Sequence, residues 1–240
     1  MSSAYFFPLV ARREIASGTI EFILDARGSD FSFRAGQWVD VTIIHPQFPD
    51  EDSNTRTLSI ASAPEEGDQL RFAIRVGKSA YKRSLMALPL GAQLKVSRAS
   101  GSFVLYDDVS RPVVFLIGGI GITPARSMVA GIVARRESRK IFLFYANRTP
   151  SEAAYLEEFV RWSKEIDLQF IPTITDSSDP TWRYERGRID RAMIEYNLLG
   201  VADSFFYIAG PPEMVLGAWQ VLHVIGVPSD DIATEEFSGY

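Results

Sequence analysis

Residues 116–128 read LIGGIGITPARSM, so Gly118, Gly119 and Gly121 follow an apolar run and Pro124 opens a helical pattern. A glycine cluster between strand and helix lets backbone N–H groups approach a ligand with no side chain in between. The helix N-terminus adds partial positive charge, so the natural guest is an anion. Proline suits the first helical position, where its missing N–H costs nothing. A nucleotide pyrophosphate is the first candidate. The spacing is not GxGxxG and lacks the Lys-Ser/Thr pair of a P-loop, which disfavours ATP chemistry. The plain alternative is a tight strand–helix turn that holds nothing.

A second such turn is YIAGPPEM, residues 207–214, where another apolar strand meets Pro211, Pro212 and a helix. Two turns of this kind on neighbouring strands would face one crevice. Taken together they favour a bound dinucleotide over simple helix initiation. The strand that should read the adenosine ribose ends in YANRTPSEAAY, residues 145–155. A carboxylate there would suit the free 2′-hydroxyl of NADH, an arginine the 2′-phosphate of NADPH. The chain offers both Arg148 and Glu152, so the coenzyme stays open.

Two stretches of the first half can bind anions. In NTRTLSIASAP, residues 54–64, Arg56 can grip a phosphate and the Ser59 and Ser62 hydroxyls can reach a ring nitrogen. In RVGKSAYKRSL, residues 75–85, Ser79 caps a helix start carrying Lys78, Lys82 and Arg83. A solvated strand-edge arginine and an ordinary helix cap are the bland readings of the two.

The elements that must position these residues fall into two rhythms. The first hundred residues hold short β-rich runs, TIEFILD, QWVDVTII, RTLSIAS, QLRFAIRV, AQLKVSRA and SFVL, punctuated by Gly, Pro, Asp and Ser; only SAYKRSLMALP interrupts as a helix. Such spacing predicts a closed or nearly closed antiparallel barrel. From Pro112 onward, the strands PVVFLI, KIFLFYA, LQFIPTIT, SFFYIAG and DIATEEF alternate with four helical stretches, PARSMVAGIVARRES, SEAAYLEEFVRWSKE, RIDRAMIEYNLL and PEMVLGAWQVLHVIG. That alternation predicts a parallel sheet covered on both faces. The polar YDDVSR, residues 106–111, divides the chain into an expected barrel domain 1–108 and an α/β domain 109–240. There is no internal repeat.

Composition narrows the function. At 240 residues with 46% hydrophobic content, the chain can bury one large core or two modest ones. Cysteine is absent, which excludes disulfides, thiolate nucleophiles and cysteine-held iron–sulfur clusters from this chain. The two histidines, His45 and His223, are too few for an expected zinc or non-haem iron site. A net charge of −5 argues against a nucleic-acid partner. No apolar run approaches the ~20 residues of a membrane helix. No basic leader precedes the first apolar residues, so a cytoplasmic setting is expected.

These motifs, with FRAGQWVDV (33–41) ahead of them and EEFSGY (235–240) at the end, resemble the ferredoxin–NADP⁺ reductase superfamily of flavoenzymes over essentially the whole chain. The resemblance implies an antiparallel flavin-binding barrel followed by a Rossmann-like α/β NAD(P)-binding domain, in a stand-alone reductase without an iron–sulfur domain. It implies FAD and NADH or NADPH as cofactors, and hydride passing to the flavin. Electrons then go to a separate acceptor: a ferredoxin, flavodoxin, haem protein, oxygenase or small molecule.

Residue by residue, the resemblance makes Arg56 the flavin-phosphate arginine and Ser59 the hydroxyl near the reactive flavin nitrogen. Leu58 stands where the family usually stacks a tyrosine, and Lys82 where relatives often have a serine. Thr57, Arg75, Val76 and Tyr81 complete the flavin set. Gly119, Gly121, Thr123, Asn147, Arg148, Gly210 and Pro211 form the nucleotide set. Ala209 replaces a frequent cysteine. Phe237 covers the flavin and moves aside for the nicotinamide, with Glu235 or Glu236 as the neighbouring carboxylate. Arg12, Arg13, Arg34, Lys78 and Lys82 would steer an acidic carrier if they share a face. Two other readings remain: a flavin- or nucleotide-binding regulatory subunit without turnover, and a free-flavin reductase.

Overall fold

The computed structural model describes residues 4–49, 54–176, 178–198 and 203–237. The first sheet is formed by β1 (Tyr5–Ala16), β2 (Thr19–Asp25), β3 (Trp38–Ile43), β4 (Thr55–Ser59), β5 (Gln69–Arg75) and β6 (Gln93–Val96). All its pairings are antiparallel, in the order β4-β3-β6-β1-β2-β5. The two end strands come together just beyond β4, where Ala61 N–H donates to the carbonyl of Arg71 in β5 at 2.8 Å. The sheet is thus a nearly closed barrel, as the strand spacing predicts. It is filled by Phe7, Leu9, Phe22, Leu24, Val39, Val41, Phe72 and Val96. Helix α1 (Ala80–Ala87) starts from Ser79, whose hydroxyl accepts from Lys82 N–H.

The second sheet contains β7 (Val113–Gly118), β8 (Ile141–Asn147), β9 (Leu168–Ile174), β10 (Glu185–Arg186), β11 (Phe205–Gly210) and β12 (Ile232–Glu236). Every pairing is parallel, in the order β10-β9-β8-β7-β11-β12. Helices α2 (Ile122–Arg135), α3 (Leu156–Trp162), α4 (Arg191–Asn197) and α5 (Pro212–Val224) connect them. One sheet face packs Phe115, Ile117, Leu143 and Tyr145 with α2 and α3; the other packs Val114, Leu116, Phe144 and Ile208 with α4 and α5. The central strands β7 and β8 are buried on both faces, which is why they read as continuous apolar runs. Among the described residues no helix is long and apolar enough to cross a membrane.

Some elements differ from the sequence reading. Helix α2 begins at Ile122, two residues before Pro124, whose missing N–H still falls among the unpaired donors of the first turn. SFVL forms no strand: the Tyr207 hydroxyl donates to the Val104 carbonyl (2.9 Å) and accepts from Tyr106 N–H (2.8 Å), so a side chain satisfies this backbone in place of a ladder. The helix expected from Ser151 begins only at Leu156. Pro150–Glu152 is a 3₁₀ turn and Tyr155 sits in the left-handed region at φ 59°. The long β1 and the two-residue β10 had no counterpart in the sequence reading.

Candidate active site

In a parallel sheet with helical crossovers, ligands bind beyond the carboxyl ends of the strands. Here those ends are Gly118, Asn147, Ile174 and Gly210. A cavity of about 540 Å³ opens there, lined among others by Gly118, Gly119, Asn147, Arg148, Arg188 and Pro211. The two glycine turns form its floor and touch one another. A Cβ on Gly121 would lie 2.5 Å from the Ala209 carbonyl oxygen, and one on Gly210 would lie 3.1 Å from Gly118 N. Gly119 takes φ +54°, and Gly210 takes φ +157°. Only glycine allows backbone this close to backbone. Gly121 and Gly210 therefore build the wall without lining the cavity, whereas Gly119 and Pro211 line it.

A second cavity, about 290 Å³, lies on the barrel side and is lined by Arg56, Thr57, Leu58, Ser59, Tyr81, Lys82 and Phe237, among others. Arg56 lies over the Tyr81 ring, 5.3 Å from its centroid. Burial lowers the Lys82 pKa, and the neighbouring Arg56 and Arg75 add to the effect. The buried Tyr81 hydroxyl donates to the Val41 carbonyl at 3.1 Å; burial raises its pKa, so it is a structural donor. Thr123 lines this cavity from α2, its hydroxyl donating to the Ile120 carbonyl.

The two cavities share Arg75 and Ile120. Arg75, at the end of β5, pairs with Glu152 of the second sheet's domain at 3.1 Å, and its guanidinium lies over Gly119. Glu152 also accepts from the Thr149 hydroxyl at 3.2 Å. The carboxylate weighed as a ribose reader is thus already engaged by a barrel arginine.

At the floor of the barrel-side cavity, the Ser59 hydroxyl donates to Glu235 Oε1 at 3.2 Å. Glu235 stands opposite Ala209 in the β11–β12 register. Its other carboxylate oxygen is buried with no hydrogen-bond partner among the described residues. Burial pushes the Glu235 pKa up to about 7, against the hydrogen bond from Ser59, which lowers it. Glu236, the alternative carboxylate, is exposed. Phe237 N–H donates to the Gly210 carbonyl at 2.9 Å, which carries its ring into the cavity. Residues 238–240 of EEFSGY lie outside the described residues.

Val76 lines neither cavity; it is half-exposed and its N–H bonds to the Gly18 carbonyl. Of the cations expected to form a basic patch, Arg34, Arg13 and Lys82 line three different cavities. Arg13 pairs with Glu21, Arg34 with Asp107, and the Arg12 guanidinium caps the carbonyls of Met86 and Leu88. The sequence reading missed Arg126 in the middle of α2, which is 2% exposed and bonded to the barrel. Its one signal was an arginine inside an otherwise apolar helix face.

Residues 115–219 match the oxidoreductase NAD-binding domain family. Over 87% of its length the chain is 28% identical to the reductase component of propane 2-monooxygenase from Mycolicibacterium smegmatis. The fold superposes on the FAD/NAD-binding domain of nitric oxide dioxygenase from Vibrio cholerae, with a TM-score of 0.87, 19% identity and full coverage of both chains. It also superposes on a ferredoxin–NADP⁺ reductase from Neisseria gonorrhoeae, with a TM-score of 0.81, 20% identity and coverage of 98% and 99%. The chain shares the two-domain fold of these two structures. Its antiparallel barrel precedes its parallel sheet, the order that the sequence motifs predict. The chain spans 60% of the length of the propane monooxygenase relative.

Proposed function

We propose that this chain is an NAD(P)H-dependent flavin oxidoreductase that hands electrons on to a separate acceptor. Residues 1–108 would form the flavin-binding unit and 109–240 the nucleotide-binding unit, working in the cytoplasm. The observation that carries this reading is the common wall. A cationic barrel cavity and a glycine-floored nucleotide cavity meet at Arg75 and Ile120, so two ring systems can be brought face to face.

The residues present fit both groups. Gly118, Gly119 and Pro211 line the nucleotide cavity, and the open backbone at Gly119 suits a pyrophosphate. The barrel cavity sets Arg56, Lys82 and the Ser79-capped start of α1 around one space, the donor set a flavin phosphate requires. When bound, a flavin next to a reduced nicotinamide supplies hydride acceptance and one-electron release.

The protein's own contribution is placement. Arg56 and Lys82 hold the phosphate end. Leu58 offers an aliphatic surface where a tyrosine would stack, so FAD is retained mainly by its charged end. Phe237 keeps water from the cavity and must move for a nicotinamide to enter. Ser59 presents a hydroxyl to the cavity, and Glu235 behind it holds or releases a proton near neutral pH. Arg75, which lies over Gly119, would hold the dinucleotide phosphates together with the cavity-lining Asn147, Arg148 and Pro211.

The relative named as a monooxygenase reductase component supports an oxygenase or its electron carrier as the acceptor class. The test is a visible spectrum of the purified protein followed by anaerobic titration with NADH and with NADPH. The expected result is a yellow protein that bleaches with one or both coenzymes. A protein that binds flavin but does not bleach would be the regulatory subunit, and freely exchanging flavin would mark a flavin reductase.

A further inference from the structure

The nucleotide loop is built on one sheet and the flavin cavity on another, so something must fix the space between them. Arg126 lies one turn into α2, the helix that Gly121 begins. Its side chain crosses to the barrel and is 2% exposed. Nη1 donates to the Ala61 carbonyl at 2.9 Å and to Glu66; Nη2 donates to Glu66 at 2.9 Å and to Glu158 at 2.8 Å; Nε donates to Glu158 at 3.1 Å. All five N–H hydrogens of the guanidinium are thereby used. The rings of Tyr155 and Trp162 lie 5.3 Å and 5.6 Å from it. Burial opposes its charge, but Glu66 and Glu158 hold the pKa above the ordinary arginine value.

The next residue repeats the reach. The Ser127 hydroxyl donates to the Ser62 carbonyl at 2.6 Å and accepts from Gly36 N–H at 3.4 Å. Ala61 and Ser62 directly follow the strand that carries Ser59. Arg126 and Ser127 lie one helical turn after the loop that carries Gly119 and Gly121. One clamp thus joins the two segments that bear the flavin and nucleotide residues. Glu66 is itself braced by Ala63 N–H at 2.7 Å and by Arg71 at 3.6 Å.

We infer that Arg126 is a positioning residue: its planar five-donor fork sets the approach of the Gly119–Gly121 loop to Ser59, and hence the rate of hydride transfer between groups bound there. It rests on the reading under Proposed function. Lysine keeps the charge but cannot make the fork.

The experiment compares wild type, Arg126→Lys and Ser127→Ala, each with flavin bound. Amide hydrogen exchange across 61–66 and 119–127 is measured alongside anaerobic bleaching by saturating coenzyme. In Arg126→Lys the expected result is faster exchange in both segments, unchanged flavin content, and bleaching slowed by about tenfold or more, since a misplacement near 1 Å costs up to ~100-fold. The long-wavelength absorbance of the stacked nicotinamide–flavin pair should fall in parallel. Ser127→Ala, the milder change, should move the same readouts in the same direction. Unaltered exchange, or bleaching that falls only in proportion to lost flavin, would overturn the assignment. If wild type itself fails to bleach, the functional reading fails, while the exchange comparison still decides whether Arg126 couples the two segments.

Discussion

Ser59 and Glu235, 176 positions apart in the chain, share a hydrogen bond of 3.2 Å where the barrel meets the last strand of the parallel sheet. Their contact depends on β12 lying beside β11 in parallel register and on the barrel seating β4 against that edge. It places one hydroxyl and one buried carboxyl at the base of the barrel-side cavity.

Removing the hydroxyl tests its orienting role. Ser59→Ala should slow flavin reduction roughly tenfold, the value of one well-placed hydrogen bond, with little change in melting temperature. Single-turnover kinetics at saturating coenzyme check this; an unchanged rate would remove Ser59 from the mechanism.

The carboxyl should show itself in pH dependence. Glu235 titrates near pH 7 when folded and near its ordinary 4.5 when unfolded. Between those values the folded protein holds a proton that the unfolded chain has released, so stability falls as pH rises through the window and levels off above it. Glu235→Gln should flatten that slope and be relatively stabilised at pH 8. Denaturant melts at pH 5, 7 and 8 check the sign.

Contact between the two glycine turns predicts a steric effect. Gly121→Ala puts a methyl group 2.5 Å from the Ala209 carbonyl. The cost should be about 1–3 kcal/mol, as for overpacking elsewhere, visible as a lower melting temperature. Coenzyme binding should be lost while flavin stays bound, since the barrel-side residues are untouched.

Arg75 should matter to coenzyme more than to flavin. Arg75→Ala leaves Glu152 in the nucleotide cavity without its 3.1 Å partner. The KM for coenzyme should rise about ten- to hundredfold, the worth of one charge-assisted contact. Glu152→Gln frees Arg75 and should lower KM or leave it unchanged. Steady-state kinetics on both variants separates a phosphate contact from a merely structural ion pair, for which both would weaken binding.

Much of this arrangement was legible in the sequence because glycine and proline act locally. The turns at 118–124 and 209–212 announce their strand–helix junctions wherever the rest of the chain goes. The order of apolar runs likewise predicts a barrel and then a parallel sheet. The missed features depend on distant partners. Arg126 is buried because Glu66 and Glu158 converge on it, and the Val104 carbonyl of SFVL is bonded by the Tyr207 hydroxyl and not by a neighbouring strand. Glu235 could not be separated from Glu236 until strand register set one inward and left the other exposed.

The central claim is that two adjoining cavities let a nicotinamide deliver hydride to a flavin. The most direct measurement is anaerobic single-turnover mixing of the flavin-loaded protein with coenzyme carrying hydrogen or deuterium at the transferable position. The account predicts that the visible flavin band disappears in one phase and that deuterium slows it. A band that neither NADH nor NADPH alters would contradict it.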